Sequence, residues 1–473
     1  MGVFGACVLI LLLVMILLTV RALRFRPQAA ETPEIREIPI DGEQAVRHLR
    51  EMIRCRTVSA PALREEKEFE RFRALLPEFY PNVFSKCETE RVDTTGLLIR
   101  WPGKSRENPA VLLSHYDVVP AEEAVWDKPP FEGVIEDGVL WGRGALDMKN
   151  QLCGVLEAME YLISTGFTPA RDVYFALSGE EEIMGPTAVS IRDLLTARGV
   201  RPAFVVDEGG DVMDGVFPGA AATCAMVGVG EKGVANLRFA AKSAGGHASV
   251  PSPDNPLPRL CRAMSRIRPF PQRPSPALEA MVDTMGRYTS FKTRLLLANR
   301  DLLRPLYHRY LRKCGGMLEA GSRTTFALTK ASGSAQGNVI PARAEMFANL
   351  RLLWGDTTDS VERELRRRMR DPSIEIVREV CADPRPDSKM TVGWEALNRA
   401  IRATWPQAVV TPYLMVATTD SRHWRDVCDN VYRFSAKAVT GEEKATVHGV
   451  NERIRTENTL HTAQFFVRLL EQC

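Results

Sequence analysis

Three glutamates, Glu180, Glu181 and Glu182, follow closely on an apolar run, Val173 to Leu177. The run has the length and texture of a buried strand. Carboxylates stacked at a strand end either repel one another or share positive charge. Two further apolar runs end in the same chemistry. Val111-Leu112-Leu113 leads into Ser114-His115-Tyr116-Asp117, and Ala203-Phe204-Val205-Val206 leads into Asp207-Glu208. Ligands of open α/β sheets bind beyond the carboxyl ends of the strands. Three such ends carrying His, Asp and Glu predict a metal centre, and spare carboxylates beside it predict hydrolysis.

Each candidate also has a plain structural use. His115 and Asp117 fit a metal-bound imidazole whose second nitrogen is held by a carboxylate, or a surface turn. Asp147 follows Trp141-Gly142-Arg143-Gly144-Ala145-Leu146 and stands where it would cap a helix expected over Lys149–Ser164. Glu181 and Glu182 fit a tight loop flanked by Gly179 and Gly185, or a solvated acidic face. Asp207, before Glu208-Gly209-Gly210, fits a turn, and His448 is a lone histidine in Val447-His448-Gly449-Val450-Asn451-Glu452.

Together and in this order, these segments resemble the aminoacylase–carboxypeptidase family of di-zinc hydrolases. The family pattern runs His-x-Asp, Gly-Arg-Gly-x-x-Asp-x-Lys, a Glu-Glu pair, an Asp and a distant His. The chain carries each in turn over residues 41–473, with further matches at Trp126, Pro129-Pro130-Phe131 and Asn338-Val339-Ile340-Pro341. Val205 to Gly210, Thr419-Asp420-Ser421-Arg422 and His448 to Glu452 are most similar to the N-fatty-acyl-amino-acid synthase/hydrolase branch, and next to the carboxypeptidase S branch. Glu180 stands where the family commonly has Asp. Met148 follows the wider family where the fatty-acyl branch has an acidic residue.

The resemblance implies two zinc ions, one held by His115 and Asp207, the other by Glu182 and His448, with Asp147 bridging. The same donors would accept cobalt or manganese. It further implies Glu181 as general base, Asp117 orienting His115, and His247 (in Ser243 to Ser249) stabilising an oxyanion across a dimer interface. Arg351 would grip a substrate carboxylate in bidentate fashion; its plain alternative is a strand-surface arginine. Elementary chemistry agrees. Paired cations some 3.5 Å apart are a recurrent hydrolytic device, and a ligated carboxylate keeps little basicity, so base and ligand must be different glutamates. His48, His308, His423 and His461 match no motif and read as structural.

The elements that must position these residues alternate from about Asp41. Helical spacing covers Gly42–Cys55 and Glu65–Leu76, and strands are expected near Leu97–Ile99, Ala110–Leu113, Val173–Leu177 and Ala203–Val206. That alternation predicts an α/β fold, a mostly parallel sheet with helices on both faces. After Val227 the texture changes to alternating strands at Gly233–Ala241, Thr324–Thr329 and Ala344–Leu352, a helix at Leu257–Ile267, and a basic, Leu-rich helical region over 278–314. We expect a discontinuous catalytic domain (41–226 and 357–473) interrupted by an α+β lid or dimerisation domain (227–356). The Leu-rich region could line an acyl pocket or form a helical core.

Val3 to Val20 contains no charged residue. Eighteen apolar residues stand at the lower edge of a membrane span. They also fit the core of a secretory signal, since Val20-Arg21-Ala22 loosely fits a cleavage site, or a buried helix. No basic residue precedes the run, which argues against a signal. Arg21, Arg24 and Arg26 follow it, which would hold that flank in the cytosol. Residues 1–22 are thus an anchor or a signal, and 23–40 a linker carrying Pro27, Pro33 and Pro39.

Of 473 residues, 45% are hydrophobic and 26% charged, ordinary for a globular protein, and a net charge of +3 without a basic, aromatic-interleaved cluster excludes nucleic acid as partner. The ten cysteines include no Cys-x-x-Cys pair and read mainly as buried free thiols. The expected activity is metal-dependent cleavage of an amide next to a free carboxylate. The expected small-molecule substrate is an N-fatty-acyl amino acid, with condensation as the reverse reaction. A carboxypeptidase acting on dipeptides or short peptides is the alternative. An inactive metal-binding interaction protein is the alternative of another class, and it would lack a ligand or the base.

Overall fold

The computed structural model of the chain describes residues 3–27, 35–60 and 63–473. Part of the expected linker, residues 28–34, lies outside them. In chain order the strands that matter are β1 (Glu88–Val92), β2 (Gly96–Trp101), β3 (Ala110–His115), β4 (Val173–Ser178), β5 (Phe204–Met213), β6 (Cys224–Glu231), β7 (Gly233–Lys242), β8 (Thr325–Ser332), β9 (Arg343–Leu352), β10 (Glu375–Ala382), β11 (Val409–Met415) and β12 (Val431–Ala438). The helices are α1 (Val3–Arg24), α2 (Lys149–Ser164), α3 (Pro276–Met285), α4 (Phe291–Leu297), α5 (Arg304–Cys314), α6 (Thr358–Met369) and α7 (Glu457–Leu470).

The first sheet has the order β11-β6-β12-β5-β3-β4-β2-β1. Its central run β4-β3-β5-β12 is parallel; β2 and β1 flank it antiparallel. Every residue of β3 and β4 is buried, as continuous apolar runs require when helices cover both faces. Because these strands are parallel, their carboxyl ends meet at one edge. His115 pairs Ser178 in register, and Leu112 pairs Val206. Helices α2 and α7 lie together on the sheet and pack very closely: a Cβ on Gly154 would stand 2.4 Å from Thr462 Cγ2.

The helix expected over Lys149–Ser164 has those bounds. Asp147 does not cap it. The capping position is Met148, and no side chain bonds the first turn; the Asp147 carboxylate faces two histidines instead.

The second sheet, β8-β9-β7-β10, is antiparallel throughout. Its core joins Leu237, Phe239, Leu260, Leu350, Val361 and Leu365. Three sequence expectations need correction here. The boundary at 356/357 cuts this unit, because α6 turns Val361, Leu365 and Met369 into the second core and β10 pairs with β7. The boundary at 226/227 is early, because β6 runs to Glu231 within the first sheet. Helices α3–α5, expected inside the insertion, pack on β6 and β11: Leu278, Met281, Tyr307 and Leu311 share a core with Cys224, Met226 and Tyr413. The buried leucines of this region, Leu278, Leu297 and Leu311, are therefore helical core on the first sheet. All ten cysteines are free, and six of them are buried.

Candidate active site

His115 ends β3 and is 2% exposed. Its Nδ1 lies 3.0 Å from the Asp117 carbonyl and 3.4 Å from Asp117 Oδ1. Its Nε2 lies 3.1 Å from Asp147 Oδ1 and 3.3 Å from Glu208 Oε1. Asp117 is fully buried, and its carboxylate also accepts the amides of Glu181 (3.2 Å) and Glu182 (3.1 Å). One side chain thus fixes both the imidazole and the short 3₁₀ turn Glu181–Ile183.

That turn follows β4 because Gly179 passes against Tyr116 and Thr95, where a Cβ would stand 2.8 Å from Thr95 Cβ. Glu180 points away from the other two glutamates: its carboxylate takes the Thr187 hydroxyl, and its carbonyl takes the Gly185 amide at 2.8 Å. It supports the loop.

Asp147 sits between the histidines. Its Oδ1 faces His115, and its Oδ2 lies 3.0 Å from His448 Nε2. Glu182 Oε1 and Oε2 both lie 3.1 Å from the same His448 nitrogen. His448 adopts a left-handed backbone (φ 59°), a conformation that persists only where the surroundings enforce it. Enforcement comes from Glu452, fully buried. Its Oε1 accepts the amides of Leu146 (2.8 Å) and Asp147 (3.2 Å). Its Oε2 takes Arg143 Nη1 at 2.7 Å, and Arg143 Nη2 donates to the Gly449 carbonyl at 2.8 Å. Glu452 thereby ties the Asp147 loop to the His448 loop. The sequence motif contained it, yet only the fold reveals that its partners lie some three hundred residues earlier.

Asp207 does not stand beside His115 as expected. Successive side chains on a strand point to opposite faces, and it is Glu208 that turns into the cluster. Asp207 has its oxygens on main-chain amides, Glu208 N at 2.8 Å and Ser421 N at 2.8 Å. The donor atoms of His115, Asp147 and Glu182 lie within 4.8 Å of one another, as do those of His115, Glu181 and Glu208.

Electrostatics reflect this crowding. Burial would raise the Asp147 carboxyl, but the two imidazoles it faces hold it well below the usual carboxylate range. Burial, with neighbouring negative charge, pushes Glu181 well up and Glu208 up to about 8. Hydrogen bonds to Asp147 and Glu182 hold His448 up at about 10. Two carboxylates raised together, Glu181 and Glu208, mark a site short of positive charge, and two imidazoles with four converging carboxylates are a nitrogen and oxygen donor set suited to divalent cations.

Two expected residues lie apart from this cluster. His247, on a short strand pairing Gly246–His247 with Val339–Ile340, is exposed and contacts Ser249 Oγ at 2.7 Å. Arg351 lies on β9 opposite Val234. It is half-buried, its Nε donates to Asn349 Oδ1 at 3.2 Å, and its Nη1 is buried without a hydrogen-bond partner among the described residues.

A parallel sheet with carboxylates and two histidines gathered at its carboxyl edge defines a metal-dependent hydrolase. The chain belongs to peptidase family M20/M25/M40, whose model matches residues 111–472. It is 32% identical over 416 residues to a probable carboxypeptidase S-like protein of Dictyostelium discoideum, covering 86% of this chain and 80% of that one. It is 36% identical over 357 residues to the N-fatty-acyl-amino acid synthase/hydrolase of Bos taurus, covering 74% and 71%. Among solved structures, an M20 family metallo-carboxypeptidase from Sulfolobus solfataricus aligns with TM-score 0.67 at 16% identity, covering 90% of this chain and 98% of that one.

Proposed function

We propose that the protein hydrolyses, and in reverse forms, N-acyl amino acids, with a fatty acyl chain as the acyl group. The observation that carries the amino-acid half is Arg351 Nη1, a buried guanidinium nitrogen with no acceptor among the described residues. A planar donor left unpaired suits a substrate carboxylate. Similarity to the bovine N-fatty-acyl-amino acid synthase/hydrolase supports the acyl half.

The donor set would hold two divalent cations, zinc by preference: one with His115 and Glu208, one with Glu182 and His448, and Asp147 between. Such a pair polarises a carbonyl and acidifies water. Glu181 is the general base, accepting a proton from the attacking water and returning it to the leaving amine. Asp117 and Glu452 orient His115 and His448. His247, exposed and in contact with Ser249 rather than with the cluster's donors, would stabilise the oxyanion in the site of a second copy. Helix α1, long and apolar enough to cross a membrane, would anchor the chain.

Carboxypeptidase activity on short peptides is the second reading, favoured by the Dictyostelium relative. Metal analysis of the purified protein, with N-oleoyl-phenylalanine assayed against a dipeptide panel, decides between them. We expect two metal ions per chain and faster turnover of the fatty-acyl substrate. Peptide turnover faster by orders of magnitude would sink the fatty-acyl reading.

A further inference from the structure

Helix α1 does not hang from a free tether. Its apolar residues from Phe4 to Leu17 are exposed, but its foot is gripped by the body of the protein. Ala22 is fully buried and Phe25 nearly so, the latter packed among Met281, Val282, Met285 and Leu297. Arg21 pairs with Asp301 at 2.8 Å. The fully buried Asn299 donates its Nδ2 to the Leu18 carbonyl at 3.0 Å. The Arg287 guanidinium lies over the Phe25 ring, 4.8 Å from its centre. These contacts hold the foot of α1 directly against the catalytic domain.

The gripped foot begins at Leu18, which leaves Phe4 to Leu17, about 21 Å of helix at roughly 1.5 Å per residue, to enter a bilayer core of about 30 Å. Its foot then stands at the lipid surface, and α4 and the turn at Asn299 and Asp301, which grip it, must lie there too, with α5 following directly at Arg304. Their composition suits that place. Over residues 287–313 there are eight lysines or arginines and one acidic residue, Asp301, which Arg21 neutralises, whereas the whole chain is only +3. Lys292, Arg304, Arg309, Arg312 and Lys313 are exposed. Among these cations Phe291, Leu302 and Leu306 are 41%, 55% and 55% exposed. Leu306, Arg309 and Lys313 fall at i, i+3 and i+7 on one face of α5. Apolar side chains set among basic ones are the pattern of a helix lying in a membrane interface.

We propose that α4 and α5 form an interfacial binding face for an anionic phospholipid bilayer, coupled to the foot of α1, so that the catalytic domain rests on the leaflet. Each lysine or arginine near an anionic surface strengthens association about fivefold, so the face distinguishes anionic from zwitterionic lipid.

The test uses the full chain in three settings: detergent, phosphatidylcholine vesicles, and vesicles with phosphatidylserine added. Amide hydrogen exchange is followed over residues 287–313. We expect exchange there to slow severalfold in the phosphatidylserine vesicles relative to detergent. Much of that protection should disappear in high salt and in L306D/R309Q, while α1 stays protected throughout. Equal exchange in all three settings would overturn the proposal. So would equal protection with and without phosphatidylserine, protection that rises with protein concentration in detergent (a second copy as the occupant), or a mature N-terminus that begins after Phe25. The wild-type comparison decides even if the variant fails to fold.

Discussion

Glu181 and Glu182 are adjacent and identical, yet the fold gives them different neighbours. Glu182 lies against His448, while Glu181 stands in the group with His115 and Glu208 and is driven up by burial. A carboxylate engaged with a metal–histidine pair cannot also be a strong base. Glu181→Gln should therefore keep two metal ions per chain and lower kcat by about 10²–10⁴; metal analysis beside steady-state kinetics checks it, and unchanged kcat would remove Glu181 from the role. A sharper case is the neighbouring pair on β5. The sequence motif pointed to Asp207 because it matches the family's aspartate position. Alternation along the strand brings Glu208 to His115 and commits Asp207 to the Ser421 amide. Glu208→Ala should lose metal from one position. Asp207→Asn should keep metal content, because an amide oxygen still accepts the main-chain donors. Metal loss in Asp207→Asn with retention in Glu208→Ala would reverse the assignment.

At the scale of elements, the ends of β3, β4 and β5 were legible because buried parallel strands are continuous apolar runs whose polar ends stand out. Helix α2 was legible from its spacing, but its start misled: an aspartate before a helix reads as a cap, and only the arrival of His115 and His448 from distant segments shows its carboxylate engaged elsewhere. The domain boundary near 357 was illegible for a similar reason. Helix α6 and β10 are amphipathic like any others, and sequence periodicity does not say which sheet receives their apolar face. Glu452 belongs to this scale, since it joins two loops that carry donors. Outer partners of metal ligands typically matter 10- to 100-fold in metal affinity. Glu452→Gln should weaken metal binding by about that factor, because a single amide cannot serve both the main-chain amides and Arg143 as an anion does. Competition against a chelator measures it. Affinity equal to the parent would mean that the His448 loop holds itself.

For the whole molecule, the cluster sits on the first sheet and Arg351 on the second, so a substrate touching both must lie across their junction. That junction is built from buried charge. Lys232 donates to the carbonyls of Ala320 (2.9 Å) and Arg323 (2.8 Å), and burial, with Arg351 nearby, pushes it down to about 7. Glu231 pairs with Arg433 at 2.7 Å and accepts the Thr419 amide at 3.0 Å. Two residues on, the Ser421 amide holds the Asp207 carboxylate, and the next residue, Glu208, enters the cluster. A path of direct contacts therefore runs from the base of the second sheet to the candidate metal site. Burial lowers the Arg351 pKa from its ordinary value, and with Nη1 unpaired the residue bears a desolvation cost that a carboxylate would offset. Arg351→Ala should lower kcat/KM for carboxylate-bearing substrates about 10- to 100-fold, the loss of a charge-assisted hydrogen bond, chiefly through KM. Metal content should stay at the parent value, because the donors lie on the first sheet and the loops at its edge. The same acyl group on an amine without a carboxylate supplies the control. If the variant slows that control amide equally, Arg351 acts by holding the two sheets together, and the carboxylate must be recognised elsewhere along the junction.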